Sequence, residues 1–146
     1  MEAGASWQCV AKLELGNEAY GGKNVNWKMK DTKNILKILL ILAKNERVAL
    51  VNLKRELEKT LNLVDYRVFG SKARGEESPE SDIDVMIEVE NYTPEVEALI
   101  DELVFEINLD HDCLISTVIF GSKELHEGPL RESPIYRSIS REGVRI

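Results

Sequence analysis

Residues 68–89 read VFGSKARGEESPESDIDVMIEV, and the two halves of this stretch decide the fold. The first half closes a run, VDYRVF over 64–69, whose β-branched and aromatic content predicts a strand, and Gly70-Ser71 ends it with a turn able to open a short helix. Backbone N–H groups exposed at such a turn suit an anion: Gly70 permits close backbone approach, Ser71 adds a hydroxyl, and Arg74 adds a guanidinium fork. The second half alternates, with Asp82, Asp84, Met86 and Glu88 on one face and Ile83, Val85, Ile87 and Val89 on the other. Two carboxylates therefore point the same way beside the turn.

Paired hard oxygen donors next to a phosphate cradle suit Mg2+, which prefers one or two carboxylates, waters and substrate phosphate oxygens. The stretch thus predicts a metal–nucleotide site in which Asp82 and Asp84 hold metal and Gly70, Ser71 and Arg74 bind nucleotide. Helix-turn-helix DNA binding by the helices ahead of residue 62 is the rival reading, and it is disfavoured because the second of them mixes acids with its bases.

Gly70-Ser71, ten intervening residues and Asp82-x-Asp84, with Ala73, Arg74, Gly75 and Ser81 around them, resemble the DNA polymerase β-like nucleotidyltransferase superfamily. Within it they resemble the minimal nucleotidyltransferases that pair with HEPN-domain proteins as toxin-antitoxin modules. The resemblance spans about residues 64 to 146 and implies an α+β fold, a small mixed or antiparallel sheet backed by helices. It implies Mg2+-dependent transfer of AMP from ATP to a hydroxyl acceptor, which in the antitoxin type is a tyrosine of a HEPN ribonuclease silenced by the modification. Small-molecule nucleotidyl transfer, or a catalytically weak nucleotide- or partner-binding module, are the alternatives.

The sequence departs from the pattern at one place. Enzymes of this superfamily that use two metals usually carry a third carboxylate on the strand beside the Asp-x-Asp strand, and LISTVIF over 114–120 has none. By strand position that place falls at Ser116. Asp112, just upstream, is the preferred stand-in as a third catalytic carboxylate beside Asp82 and Asp84.

Composition narrows the rest. A chain of 146 residues with 43% apolar residues suits one domain with a modest core. The net charge of -7 disfavours stable nucleic-acid binding through phosphate neutralisation. Cys9 and Cys113 form no metal-ligand spacing, so a reducing cytoplasm is the expected compartment.

Organisation along the chain is read as a poorly defined N-terminal extension over 1–30, a helical part over 31–62 and a nucleotidyltransferase core over 63–146. Asp31 or Thr32 is the expected first N-cap. ILKILLILA over 35–43 is far short of the roughly 20 residues that span a bilayer, so it is read as a buried helix rather than a membrane segment. A second helix over 46–61 is expected to bury Val51, Leu57 and Leu61 and to leave Lys54, Arg55, Glu56, Glu58 and Lys59 in water. Thr93-Pro94 opens a helix to about Asn108, Ser133-Pro134 opens another ending at Gly143, and residues 144–146 add an edge strand. The helices are expected to back one face of the sheet and leave the aspartate face open.

Overall fold

The computed structural model of the chain describes residues 29–76 and 81–146. Its elements are α1 (Met29–Ile41), α2 (Lys44–Thr60), β1 (Leu63–Phe69), the short helix α3 (Gly70–Arg74), β2 (Ile83–Val89), α4 (Pro94–His111), β3 (Ile115–Gly121), α5 (Ser122–Glu127), a 3-10 turn (Pro129–Glu132), α6 (Pro134–Glu142) and β4 (Val144–Arg145). The expected extension lies outside the described residues except for Met29 and Lys30, which open α1 ahead of the expected caps. Among the described residues no helix is long and apolar enough to cross a membrane.

The four strands form one mixed sheet in the order β3-β2-β1-β4. β1 runs antiparallel to β2 and β4, and β2 runs parallel to β3. Parallel neighbours need a crossover, which α4 supplies. Thr93 caps α4 by accepting from the Val96 N–H at 3.2 Å, with Pro94 in the first turn, and the helix runs one turn past Asn108 to His111.

Alternation along β1 and β2 divides the core. Tyr66, Val68, Ile83, Val85, Ile87 and Val89 face α1, α2 and α4, where Ile35, Ile38, Leu50, Leu53, Leu57 and Ile100 are fully buried. Each such aliphatic side chain contributes about 1.5–3 kcal/mol by leaving water. The buried stripe of α2 is Ala49, Leu50, Leu53 and Leu57, with the expected Val51 and Leu61 only partly buried against the core, and it draws in Lys54. The Lys54 stem lies along the apolar face and its ammonium donates to the Ile146 carbonyl at 2.6 Å. α1 is amphipathic rather than buried throughout, since Leu36 is 46% and Leu40 is 86% exposed.

The opposite face is not wholly open. α5 and α6 fold over its far half, where Met86, Phe120, Leu125 and Ile139 form a second buried cluster and the Tyr136 ring stands edge-on to Phe120 at 5.8 Å. Glu88, expected on a solvated face, is buried there and accepts from Ser122 Oγ at 2.7 Å, with His126 Nε2 at 2.8 Å. Only the end of the face carrying Asp82 and Asp84 is left uncovered by this cluster.

Candidate active site

β1 delivers the chain to the site at Phe69, which pairs with Asp84 across the β1–β2 ladder. The next residue, Gly70, has φ +74, and a Cβ built there would stand 2.3 Å from Asp84 Oδ2. Glycine is therefore required twice, for the left-handed backbone and for the carboxylate pressed against it. α3 follows for five residues and stops at Gly75, a left-handed C-cap at φ +80.

Asp84 on β2 stands opposite Ser116 on β3 in the parallel register. Ser116 Oγ donates to Asp82 Oδ2 at 2.9 Å. Gly70, Asp82, Asp84 and Ser116 are thus brought to one end of one sheet face. Burial pushes the Asp84 carboxyl above the usual carboxylate range, the Asp82 charge pushes it further, and Arg74 opposes both. Two crowded hard-oxygen donors of this kind are a chemically suitable pair for a divalent cation, whose charge relieves their repulsion.

Arg74 is already engaged. Its Nε and Nη2 donate to Glu76 at 3.0 and 3.3 Å, and its Nη1 donates to Glu142 at 3.0 Å. Glu76, and then Glu142, hold the guanidinium protonated well beyond its ordinary range. Glu142 lies at the end of α6, and its own carboxyl is held below the usual range by Arg74 first. This partnership, 68 residues apart in the chain, has no local signal in the sequence. Ser71 sits half-buried in the first turn of α3, its carbonyl accepting from the Glu76 N–H at 3.0 Å.

Asp112 occupies a different kind of position. It is the exposed, left-handed C-cap of α4, at φ +49. Asn45 Nδ2 donates to the His111 and Asp112 carbonyls at 2.7 and 3.1 Å, tying this corner to the start of α2. The side chain hydrogen-bonded to Asp82 is that of Ser116, not Asp112. His111 completes the same strut, its Nε2 lying 3.2 Å from Asn52 Nδ2. Among the described residues no cluster of three or more His, Cys, Asp or Glu side chains is placed to hold a metal ion, so the site offers two carboxylates.

Arg131, Arg137 and Arg141 are exposed; Arg137 pairs with Glu132 and Arg141 with Glu142. Cys113 is a half-buried free thiol, raised above its ordinary range chiefly by burial.

A family model described as a nucleotidyltransferase domain matches residues 50–142, more than half of the chain, from within α2 to the last residue of α6. No curated protein matches the chain.

Proposed function

The chain belongs to the nucleotidyltransferase domain family, and from that premise we propose that it transfers AMP from ATP, bound with Mg2+, to a hydroxyl acceptor on a protein. The observation that carries this reading is the contact between the Gly70 backbone and the Asp84 carboxylate: it sets the glycine turn directly beside a hard-oxygen donor of the kind a divalent cation takes. Asp82 and Asp84 would hold the ion. When bound, it supplies neutralisation of the charge that grows on the attacking and leaving oxygens.

The chain's own residues then act as follows. Backbone amides at Gly70 and Ser71 and the Ser71 hydroxyl bind the β and γ phosphates, and Arg74, whose fork is held by Glu76 and Glu142, reaches them only by releasing one of these carboxylates. Ser116 orients Asp82 through its hydrogen bond. The acceptor oxygen attacks the α phosphorus in line, the bond from that phosphorus to the bridging oxygen breaks, and pyrophosphate leaves with the electron pair. The acceptor proton passes to solvent, since Ser116 offers no base. By its resemblance to the minimal nucleotidyltransferases, the acceptor is a tyrosine of a HEPN ribonuclease and the protein is its antitoxin in the cytoplasm. The test is transfer of label from the α phosphate of ATP to a co-expressed HEPN partner. Label that survives Asp82→Ala with Asp84→Ala would sink this assignment.

A second reading, nucleotide or partner binding with little turnover, is favoured by the neutral Ser116 opposite Asp84. It predicts tight MgATP or partner binding without pyrophosphate release, and measurable pyrophosphate release with any acceptor would exclude it.

A further inference from the structure

β3 is an edge of the sheet, and its outer side is free of backbone pairing among the described residues over most of its length. Ile83 N–H donates to the Leu114 carbonyl at 2.9 Å, which fixes the parallel ladder: Leu114, Ser116, Val118 and Phe120 turn their backbone groups toward β2, while Ile115, Thr117 and Ile119 turn theirs outward. The first outward pair is already satisfied by a mimic of a peptide, since Asn108 Oδ1 accepts from the Ile115 N–H at 2.9 Å and Asn108 Nδ2 donates to the Ile115 carbonyl at 3.2 Å. Among the described residues nothing pairs with the outward groups of Thr117 and Ile119. The usual protections of an edge are missing among the described residues: Ile115–Gly121 holds no charged residue and no proline, and its register with β2 runs without a bulge. The other edge, β4, is two residues long.

This unguarded edge adjoins the site, because Ser116 lies on it and is hydrogen-bonded to Asp82. We propose that the edge of β3 at Thr117 and Ile119 is the docking line for an extended segment of a protein acceptor, added as a fifth strand, whose hydroxyl side chain is thereby delivered to Asp82 and Asp84. The proposal rests on the transferase reading above and names the class of acceptor it takes. Neighbouring strands lie about 4.8 Å apart, so a residue beside Ser116 on the added strand stands about 10 Å from Asp84, on the same face of the sheet. The hydroxyl placed there is that of a tyrosine, the acceptor of the reading above, since a serine hydroxyl, one bond beyond Cβ, stays over its own strand. The exposed Asp110 and Asp112 at the entrance of β3 favour a segment carrying basic residues at that end. Main-chain pairing would supply affinity and the facing side chain the specificity. In the transfer itself the tyrosine oxygen forms the bond to the α phosphorus, pyrophosphate leaves with the electron pair, and the phenolic proton goes to solvent.

The test uses a short soluble peptide of alternating threonine and valine around one tyrosine, with lysines at one end, and ATP labelled in the α phosphate. The full chain is expected to label the tyrosine, and to slow hydrogen exchange at the Thr117 and Ile119 amides when peptide is added. N-methylation of alternate peptide amides, or Thr117→Pro in the protein, is expected to cut labelling about tenfold, the loss of one to two main-chain hydrogen bonds. Thr117→Pro removes an outward N–H and no bond to β2, so MgATP binding and Tm should stay near those of the parent; the N-methylated peptide tests the same pairing on the parent protein should proline disturb the strand. Equal labelling of the methylated peptide, undiminished labelling by Thr117→Pro, or labelling confined to small-molecule hydroxyls would overturn the proposal. Conversion of a dimer to a monomer by Thr117→Pro with labelling unchanged would assign the edge to a second copy and overturn it too. Absence of MgATP binding by the parent would overturn the transferase reading itself, and this proposal with it.

Discussion

Gly70 and Asp84 touch so closely that a Cβ on the glycine would lie 2.3 Å from the aspartate Oδ2. The turn that ends β1 and the carboxylate that opens β2 are therefore one structural unit. Its parts lie 14 positions apart in the chain (84 minus 70).

Gly70→Ala is expected to injure this unit more than the fold. The left-handed backbone costs about 1–2 kcal/mol for a residue with a Cβ, and the methyl displaces the Asp84 carboxylate. Thermal unfolding should show a modest loss, while Mn2+ or MgATP titration should show binding reduced well beyond it. Parent-like metal and nucleotide affinity in this variant would contradict the geometry.

Asp84 carries a pH signature. Its folded-state carboxyl lies above the ordinary value, through burial first and Asp82 second. The protonated form is thus favoured by folding, so this group contributes stability at pH below its ordinary value and loses it as pH rises through the raised one. Asp84→Asn should therefore raise Tm at neutral pH in the absence of metal and change it little in acid. A Tm difference that is larger in acid than at neutral pH would count against the assignment. Metal affinity of the parent should also decline, as pH falls, earlier than for an ordinary carboxylate pair.

Ser116 separates the two functional readings. Ser116→Ala removes a hydrogen bond to an ionised carboxylate, worth about 1.5–3 kcal/mol in such pairs, and should loosen Asp82 and weaken metal binding. Ser116→Asp places a third carboxylate opposite Asp84. It should lower stability without metal, through like-charge repulsion, recover it with Mg2+ or Mn2+, and raise the rate of pyrophosphate release. A release rate no higher than the parent's would show that the acceptor side is limited elsewhere.

Ile139 is fully buried against Met86, Phe120 and Leu125, and it anchors the helix that carries Glu142 to Arg74. Ile139→Ala should cost about 2–5 kcal/mol, the usual range for a large aliphatic side chain in a core. Denaturant unfolding measures this directly, and a cost below about 1 kcal/mol would mean that α6 does not depend on this cluster.

The site was legible in the sequence where local rules fix position. Strand alternation alone puts Asp82 and Asp84 on one face, and a glycine after a strand announces the turn at Gly70. Thr93-Pro94 and Ser133-Pro134 both open helices, their hydroxyls accepting from Val96 N–H and Tyr136 N–H. What was not legible depends on distant partners. Glu88 continues the aspartate alternation and reads as solvated, yet Ser122 and His126, more than 30 residues on, make its burial possible. Lys54 reads as a surface charge until the Ile146 carbonyl is brought to it. Arg74 reads as a free fork until Glu142 arrives from α6. Leu40 belongs to an apolar run and is nevertheless 86% exposed, because only one face of α1 meets the core.

The most direct measurement is pyrophosphate release and label transfer from ATP labelled in the α phosphate, with Mg2+ and a HEPN partner, for the parent chain and for Asp82→Ala with Asp84→Ala. The proposed function predicts one AMP attached per pyrophosphate released by the parent, and neither product from the double variant at unchanged fold. Pyrophosphate release or labelling that persists in the double variant, or MgATP that binds both proteins equally, would contradict it.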